Sequence, residues 1–132
     1  MTRIPSEDRD LMEKAIYFPM LVKVLEKDLY IINNSPFKLR NPYLMLIDNT
    51  LTGIQSELFL VKKIMKKRGM KVQEVKRDDT FTTYLFIYNG YEEYHNYFNP
   101  RLKNKVEELL SYYLFKRFEN NQSSDQSLRV TR

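Results

Sequence analysis

The sequence predicts a mainly α-helical, α+β fold. It comprises two long antiparallel helices, a C-terminal helix, and a short β-hairpin between helix 2 and the last helix. Apolar residues recur at alternating steps of three and four along two long stretches, which is the spacing of an amphipathic helix. Only three glycines occur in 132 residues, which disfavours a β-sandwich or barrel. The stretch before the last helix is rich in β-branched and aromatic residues, as strands are. An all-α four-helix bundle is the alternative.

The first helix is predicted over residues 6–33. Ser6 is its predicted N-cap, and Glu7 and Asp8 suit the positive end of a helix. Pro19 lies inside the helix and removes one backbone hydrogen bond, so we expect a kink or a break there. The apolar seam consists of Leu11, Ala15, Phe18, Val22, Leu25, Leu29 and Ile32.

The second helix is predicted over residues 42–68. It begins at Asn41-Pro42, an N-cap followed by a proline in the first turn, and Gly69 is a natural residue to end it. A short loop joins the two helices, which predicts an antiparallel pair. The second seam consists of Leu44, Ile47, Leu51, Ile54, Leu58, Val61 and Met65.

The region after helix 2 fits two secondary structures. In the first, 71–76 and 81–88 are strands and 91–98 returns as a third, with Asn89-Gly90 as a type I′ turn. In the second, the same aromatic residues form a third helix. That helix would carry Gly90 near its middle, at a cost of about 1 kcal/mol relative to alanine. Local propensity favours the strands.

The C-terminal helix is predicted to start at Asn99-Pro100 and to run over 100–118. Residues 1–118 are therefore expected to form a single domain, since 132 residues are too few for two. Residues 119–132 are polar and serine-rich, so we expect a disordered tail.

The composition predicts a cytoplasmic protein. The chain has no cysteine, which excludes thiolate metal sites and thiol nucleophiles and fits a reducing compartment. The N-terminal residues lack the pattern of a secretory signal. The longest uncharged stretch, 80–91, is far shorter than the roughly 20 apolar residues that span a bilayer.

Three stretches resemble small uncharacterised proteins of Gram-positive bacteria. They are KKRGMKV at 66–72, YLFIYNGY at 84–91 and KVEELL at 105–110. The resemblance covers the C-terminal half of the chain and implies a bacterial, cytoplasmic protein. It carries no activity, cofactor or site residue to transfer.

No pattern of catalytic or metal-ligating residues is complete. His95 is the only histidine, and its Glu92-x-x-His95 step supplies only two of the six ligand residues of a di-iron helix bundle. The serines lack a glycine-flanked elbow, and the isolated glycines form no phosphate loop. Asp78-Asp79 and Glu92-Glu93 are read as solvated acids. We therefore expect no enzyme, no metal and no small-molecule cofactor.

A basic segment at 62–77 is the strongest electrostatic feature. It holds eight basic side chains against Glu74 alone, while the rest of the chain sums to −2. Such a stripe can neutralise phosphates, which makes nucleic acid the alternative partner. The candidate nucleic-acid contacts are Lys62, Lys63, Lys66, Lys67, Arg68, Lys71, Lys76 and Arg77.

The tyrosines concentrate in the C-terminal half. Tyrosine is common at interfaces because its ring buries area while its hydroxyl still finds a partner. The candidate interface residues are Tyr84, Tyr88, Tyr91 and Tyr94. The leading prediction is a non-catalytic protein–protein interaction or homo-oligomerisation module, with a protein partner or a homodimer and no membrane partner.

Overall fold

A computed structural model of the chain describes residues 3–116, and the predicted tail at 119–132 lies outside them. The elements in chain order are α1 (Ser6–Asn33), α2 (Asn41–Lys67), β1 (Met70–Arg77), β2 (Phe81–Tyr88), β3 (Tyr91–Phe98), α3 (Asn99–Ser111) and a π-helical turn (Tyr112–Lys116). The protein is mainly helical, with a three-stranded antiparallel sheet between α2 and α3. No helix within residues 3–116 is both long and apolar enough to cross a membrane.

Helix α1 has the predicted bounds but not the predicted N-cap or interruption. Pro5 occupies the N-cap position and Ser6 is already helical, so the prediction of Ser6 as the cap was wrong. The helix also continues through Pro19, so the predicted break does not occur. Phe18 and Leu21 on either side of the proline are almost completely buried, and their packing holds the helix together despite one lost hydrogen bond.

Helix α2 begins and ends one residue earlier than predicted. Gly69 follows its C-cap with a φ of 68°, the left-handed conformation that glycine adopts without steric cost. This turn leads directly into β1. The predicted glycine stop is therefore confirmed.

Two side-chain contacts show that α1 and α2 are antiparallel. Arg68 Nη1 donates to Asp8 Oδ1 at 2.6 Å, at the start of α1 and the end of α2. Six residues further along α1, Lys14 Nζ donates to Glu57 Oε2 at 3.2 Å, eleven residues back along the chain. The predicted helical hairpin is confirmed.

The strands form a meander in the order β1-β2-β3. Strands β2 and β3 pair from Phe81 opposite Phe98 to Tyr88 opposite Tyr91. Asn89 and Gly90 between them have φ values of 50° and 85°, as a type I′ turn requires. The strand prediction is confirmed, and the third helix and the four-helix bundle are wrong.

The sheet lays one face on the helices. In β2 the side chains of Thr82, Tyr84 and Phe86 are buried, and Tyr84 and Phe86 pack in one core cluster with residues of α1. One core cluster lies between sheet and helices, and a second lies among the helices. The first includes Met12, Ile16, Met65, Phe86 and Leu102, and the second comprises Phe18, Leu21, Leu25, Leu51, Ile54 and Tyr113.

Asn99 joins the start of α3 to the β1–β2 turn. Its backbone N–H donates to the Thr80 carbonyl at 2.8 Å, and its side-chain amide donates to the Asp78 carbonyl at 2.8 Å. The last helix was predicted as one α-helix over 100–118. Instead α3 gives way at Ser111 to the π-helical turn, in which Tyr113 is buried.

Candidate functional site

The predicted basic segment does not form one patch. Lys63 is two residues from both Val61 and Met65, which are buried, so it points away from the core. Lys67 is one turn further on the same side. Lys62 and Lys66 lie about 100° around the helix from this pair. The predicted stripe is therefore split into an outward pair and a pair that flanks the sheet.

Two of the eight basic residues are neutralised within the chain. Arg68 contacts Asp8, a carboxylate whose side chain is only 11% exposed. Arg77 binds both carboxylate oxygens of Glu74, at 2.8 and 3.2 Å, and this hydrogen bonding lowers the pKa of Glu74. The guanidinium groups of both arginines are therefore already paired with carboxylates and are not available to a partner.

Lys76 is separated from the other lysines. It lies five strand residues beyond Lys71, about 16 Å away.

Three of the remaining lysines, Lys62, Lys66 and Lys71, border an apolar depression, which we call the lysine groove. Its first part is a cavity of about 450 Å³ between α1, α2 and β1. Its second part, of about 540 Å³, adjoins the first through the shared residues Pro19 and Lys62. The apolar lining consists of Ala15, Pro19, Val22, Leu58, Phe59, Met65, Met70 and Val72. The charged lining consists of Lys23, Lys62, Lys66, Lys71 and Glu26.

The charge of the lysine groove is strongly unbalanced, with four lysines against Glu26. Among residues 3–116, none of Lys62, Lys66 and Lys71 forms an ion pair with a carboxylate. Phe59 is 67% exposed at the rim, so its ring is available for contact with a partner. The groove thus combines unpaired positive charge with uncovered apolar surface.

Pro19 gives the groove a polar feature as well. Proline has no backbone N–H, so the Ala15 carbonyl one turn earlier lacks its usual helical donor. Both residues line the same cavity. Ala15, whose carbonyl lacks that donor, therefore contributes to the lining of the groove.

The predicted tyrosine interface is divided by the alternation of the strands. Tyr84, Tyr88 and Tyr91 lie on the face of the sheet that packs on the core, and Tyr84 is only 6% exposed. Tyr84 therefore belongs to the core, which corrects its assignment to a surface patch. Tyr94 lies on the opposite face and is 65% exposed. The four rings do not share one surface.

A polar cluster joins α1 to β3. His95 Nε2 lies 2.6 Å from Glu93 Oε1, and Arg9 Nη2 lies 3.4 Å from His95 Nδ1. Tyr91 donates to the other oxygen of Glu93 at 3.0 Å. His95 thus pairs with Glu93 on its own face of the strand, and Glu92 points to the opposite face. Within residues 3–116 no group of three acids or histidines could hold a metal ion.

Beside this cluster is a second cavity, of about 700 Å³, which we call the arginine cavity. It lies between α1, the end of β3 and the first turns of α3. Its polar lining is Arg9, Glu13, Tyr17, Asn96, Tyr97, Arg101, Asn104, Lys105 and Glu108, and its apolar lining is Phe81, Phe98 and Leu102. Burial first, and then the Glu13 carboxylate, raise the pKa of Tyr17 to about 12, while Arg101 lowers it.

The tip of the helical hairpin is a third uncovered region. It exposes large apolar side chains that are 49–73% accessible. These residues are Tyr30, Ile31, Phe37, Leu39, Tyr43 and Met45. Phe37 and Tyr43 pack edge to face, with ring centroids 5.4 Å apart.

Sequence reasoning missed both cavities. The lysine groove depends on how α1, α2 and β1 approach each other, which no local pattern shows. The arginine cavity left a weak signal, because Arg9, Glu13 and Tyr17 recur every four residues beside the apolar seam. Such spacing indicates a polar flank of one helix, but it does not reveal the strand that covers it.

Comparison with known proteins identifies the family. The model of the family described as YhjD protein matches residues 3–118. The chain belongs to the YhjD protein family. It is similar to the uncharacterised protein YhjD of Bacillus subtilis strain 168, with 44% identity over 115 residues, 87% of this chain and 96% of that protein. The predicted resemblance to a Gram-positive bacterial family is confirmed. No solved structure matches the chain.

Proposed function

We propose that this member of the YhjD family is a non-catalytic interaction module that binds an acidic, amphipathic segment of a partner protein in the lysine groove. The observation that supports the proposal is the apolar floor ringed by Lys62, Lys66 and Lys71, none of which has an acidic partner within residues 3–116. An apolar surface alone would suit many ligands. The surrounding positive charge selects one that carries acids beside its apolar side chains.

The size of the groove fits a helical segment. From Ala15 to Glu26 the groove follows about 16 Å of α1, which is the length of three helical turns. A partner helix of that length presents apolar anchors at steps of three and four on one face. Those anchors would cover the exposed Phe59 ring and the partly exposed side chains of Val22 and Val72, and acids on the flanks would pair with the lysines.

The test uses fluorescence anisotropy with a labelled model peptide of Leu-rich and Glu-rich heptads, titrated with the full chain. The variant Lys62→Glu/Lys66→Glu/Lys71→Glu reverses the charge of the three lysines at the rim of the groove. We expect it to weaken peptide binding by about tenfold or more, because charges that faced acids now repel them. Circular dichroism checks that this variant keeps its fold.

A matched control carries the same change of charge outside the groove. The variant Lys63→Glu/Lys67→Glu/Lys76→Glu alters three exposed lysines of the same segment. We expect it to lower the affinity for the peptide by less than about threefold. Equal losses in the two variants would count against a groove-specific site. Failure of the unaltered protein to bind the acidic peptide, or equal binding of a Lys-rich peptide, would refute the proposal.

The same pair of variants distinguishes nucleic-acid binding from binding of an acidic peptide. Binding through phosphates depends on the number of cations more than on their arrangement, so both triple variants should then lose affinity alike. A labelled duplex DNA and a single-stranded RNA serve as probes. Tight, salt-dependent binding of these probes together with no peptide binding would favour the alternative function of residues 62–77.

A second copy of the chain is the second candidate partner. The exposed apolar rings at the hairpin tip favour it, because monomers rarely leave such a cluster uncovered. Light scattering after size-exclusion chromatography measures the oligomeric state. If the tip is the interface, Leu39→Glu/Tyr43→Glu converts a dimer to a monomer, and a monomeric unaltered protein excludes it.

A further inference from the structure

The geometry points to a second, independent binding site, the arginine cavity, which takes a small aromatic carboxylate. The cavity lies on the flank of α1 opposite the lysine groove. Arg9, Glu13 and Tyr17 line the former, whereas Ala15, Pro19 and Val22 line the latter. The two sites share no residue, so this inference does not rest on the proposed function.

Two guanidinium groups enter the cavity without a carboxylate partner. Arg101 forms no ion pair among residues 3–116, and Arg9 makes only the 3.4 Å contact with the His95 ring. They come from different walls, α1 and α3, so a ligand between them would meet both. Planar guanidinium groups bind carboxylates through paired, charge-assisted hydrogen bonds.

The balance of charge selects a monoanion. Lys105 also lines the cavity, but it lies 3.5 Å from Glu108 and is paired with it. The negative charge of Glu13 offsets the positive charge of one of the two arginines. The walls therefore carry about one uncompensated positive charge, which suits a carboxylate better than a phosphate dianion.

The inner wall offers hydrogen-bonding groups from two tyrosines and one carboxylate. The hydroxyl of Tyr97 donates to Glu13 Oε2 at 2.9 Å and so holds that carboxylate in place. Burial raises the pKa of both Tyr17 and Tyr97, so both hydroxyls stay protonated at neutral pH. The Tyr17 hydroxyl can donate to a ligand, and Glu13 can accept from a hydroxyl or amino group on it.

The mouth of the cavity favours a ring. Phe81 and Phe98 stand side by side, with centroids 5.6 Å apart, and each is a little over 40% exposed. Leu102, which is buried, lines the same cavity. A flat ring placed here covers apolar surface that water now contacts, while its carboxylate reaches the arginines.

Isothermal titration of the full chain with 4-hydroxybenzoate tests the site. We expect saturable binding with a Kd of about 1 mM or tighter, reasonable for a ligand of this size. Arg101→Gln should raise the Kd by about tenfold or more. Lys103→Gln removes the same charge from an exposed position of α3 outside the cavity, and it should change the Kd by less than about twofold.

Two further probes separate the parts of the proposal. Acetate carries the charge without the ring, and 4-hydroxybenzyl alcohol carries the ring without the charge. Both should bind at least about tenfold more weakly than 4-hydroxybenzoate. Equal binding of either probe, no saturable binding of 4-hydroxybenzoate, or equal losses for Arg101→Gln and Lys103→Gln would overturn the assignment. Binding of the acidic peptide in the lysine groove is unaffected by Arg101→Gln, so failure of one site is distinguishable from failure of the other.

Discussion

The hydroxyl of Tyr97 on β3 donates a 2.9 Å hydrogen bond to the carboxylate of Glu13 on α1, across 84 residues of sequence. The Tyr97 ring also packs edge to face on Tyr84, with centroids 5.6 Å apart. The bond therefore connects the edge strand of the sheet to the first helix from within the wall of the arginine cavity. Since the hydrogen bond is partly buried, loss of the hydroxyl leaves a charged acceptor that is less well compensated.

The first prediction concerns this bond. Tyr97→Phe keeps the ring and its contact with Tyr84 but removes the donor to Glu13. We expect the free energy of unfolding in urea to fall by about 1.5–3 kcal/mol, the range for hydrogen bonds to charged groups. Tyr94→Phe on the exposed face of the same strand should change it by less than about 0.5 kcal/mol. If the two variants are equally stable, the Glu13 bond contributes nothing.

The second prediction concerns alkaline pH. The pKa of Tyr17 is about 12 in the folded protein and about 10 in the unfolded chain, because burial and Glu13 disfavour the phenolate. The folded state thus holds the proton more tightly. The contribution of Tyr17 is complete below about pH 10 and is lost as the pH rises towards 12.

Stability measured in urea should consequently decrease between about pH 9.5 and 11, and Tyr17→Phe should make that decrease shallower. The free energies of unfolding of the two proteins are first compared at about pH 8. There the Tyr17 hydroxyl is neutral in both the folded and the unfolded state, so its titration does not contribute to stability. Absorbance of tyrosinate near 295 nm should show one late-titrating group fewer in the variant. An unchanged pH slope would mean that Tyr17 titrates alike in both states.

The third prediction concerns the two glycines that flank the sheet. Gly69 and Gly90 both have positive φ, so alanine is strained at either position. At Gly69 a Cβ would also lie 2.5 Å from Asn89 Oδ1, whereas at Gly90 it would meet nothing within 4 Å. Gly90→Ala should therefore lower the free energy of unfolding by about 1 kcal/mol, and Gly69→Ala by about 1–2 kcal/mol, because the end of the Asn89 side chain must also turn aside.

A double variant tests the cause of this difference. Asn89→Gly removes the obstructing side chain but keeps the backbone N–H that donates to the Gly69 carbonyl at 2.9 Å. In its presence Gly69→Ala should cost only about 1 kcal/mol, the strain term alone. Strict additivity of the two changes would show that Asn89 is not the obstacle.

Most elements of the fold were predictable because their signals are local. The apolar period of α1 and α2 needs only the sequence, and the β-branched run before Asn89-Gly90 marks β2 to the residue. The end of α3 was not predictable in this way. No residue pattern separates Ser111 from the π-helical turn, in which Tyr113 is buried and donates to Glu57, 56 residues earlier.

The sites were less predictable than the fold. Arg68 was counted with the basic segment, but Asp8, 60 residues away, neutralises it. The spacing of the tyrosines also indicates which face of the sheet each one lies on. Once 91–98 is a strand, Tyr91 and Tyr94 are three residues apart and must lie on opposite faces, so one surface could not contain both. Register decides such a question, and composition does not.

The fourth prediction concerns Pro19, where stability and binding oppose each other. Pro19→Ala restores a backbone N–H that can donate to the Ala15 carbonyl, so we expect the free energy of unfolding to rise by about 1 kcal/mol or more. Pro100→Ala is the matched control, because a proline in the first turn of α3 replaces an N–H that has no helical acceptor. That control should bring no gain in stability.

Pro19→Ala should also weaken binding of the acidic peptide. In Pro19→Ala the Ala15 carbonyl is occupied within the helix and no longer accepts a donor from a ligand in the lysine groove. The proline ring, which joins the two parts of the groove, is also lost. We expect peptide affinity to fall by about three- to tenfold, and Pro100→Ala to leave it unchanged. A more stable Pro19→Ala protein that binds the peptide as before would show that the proline does not serve the groove.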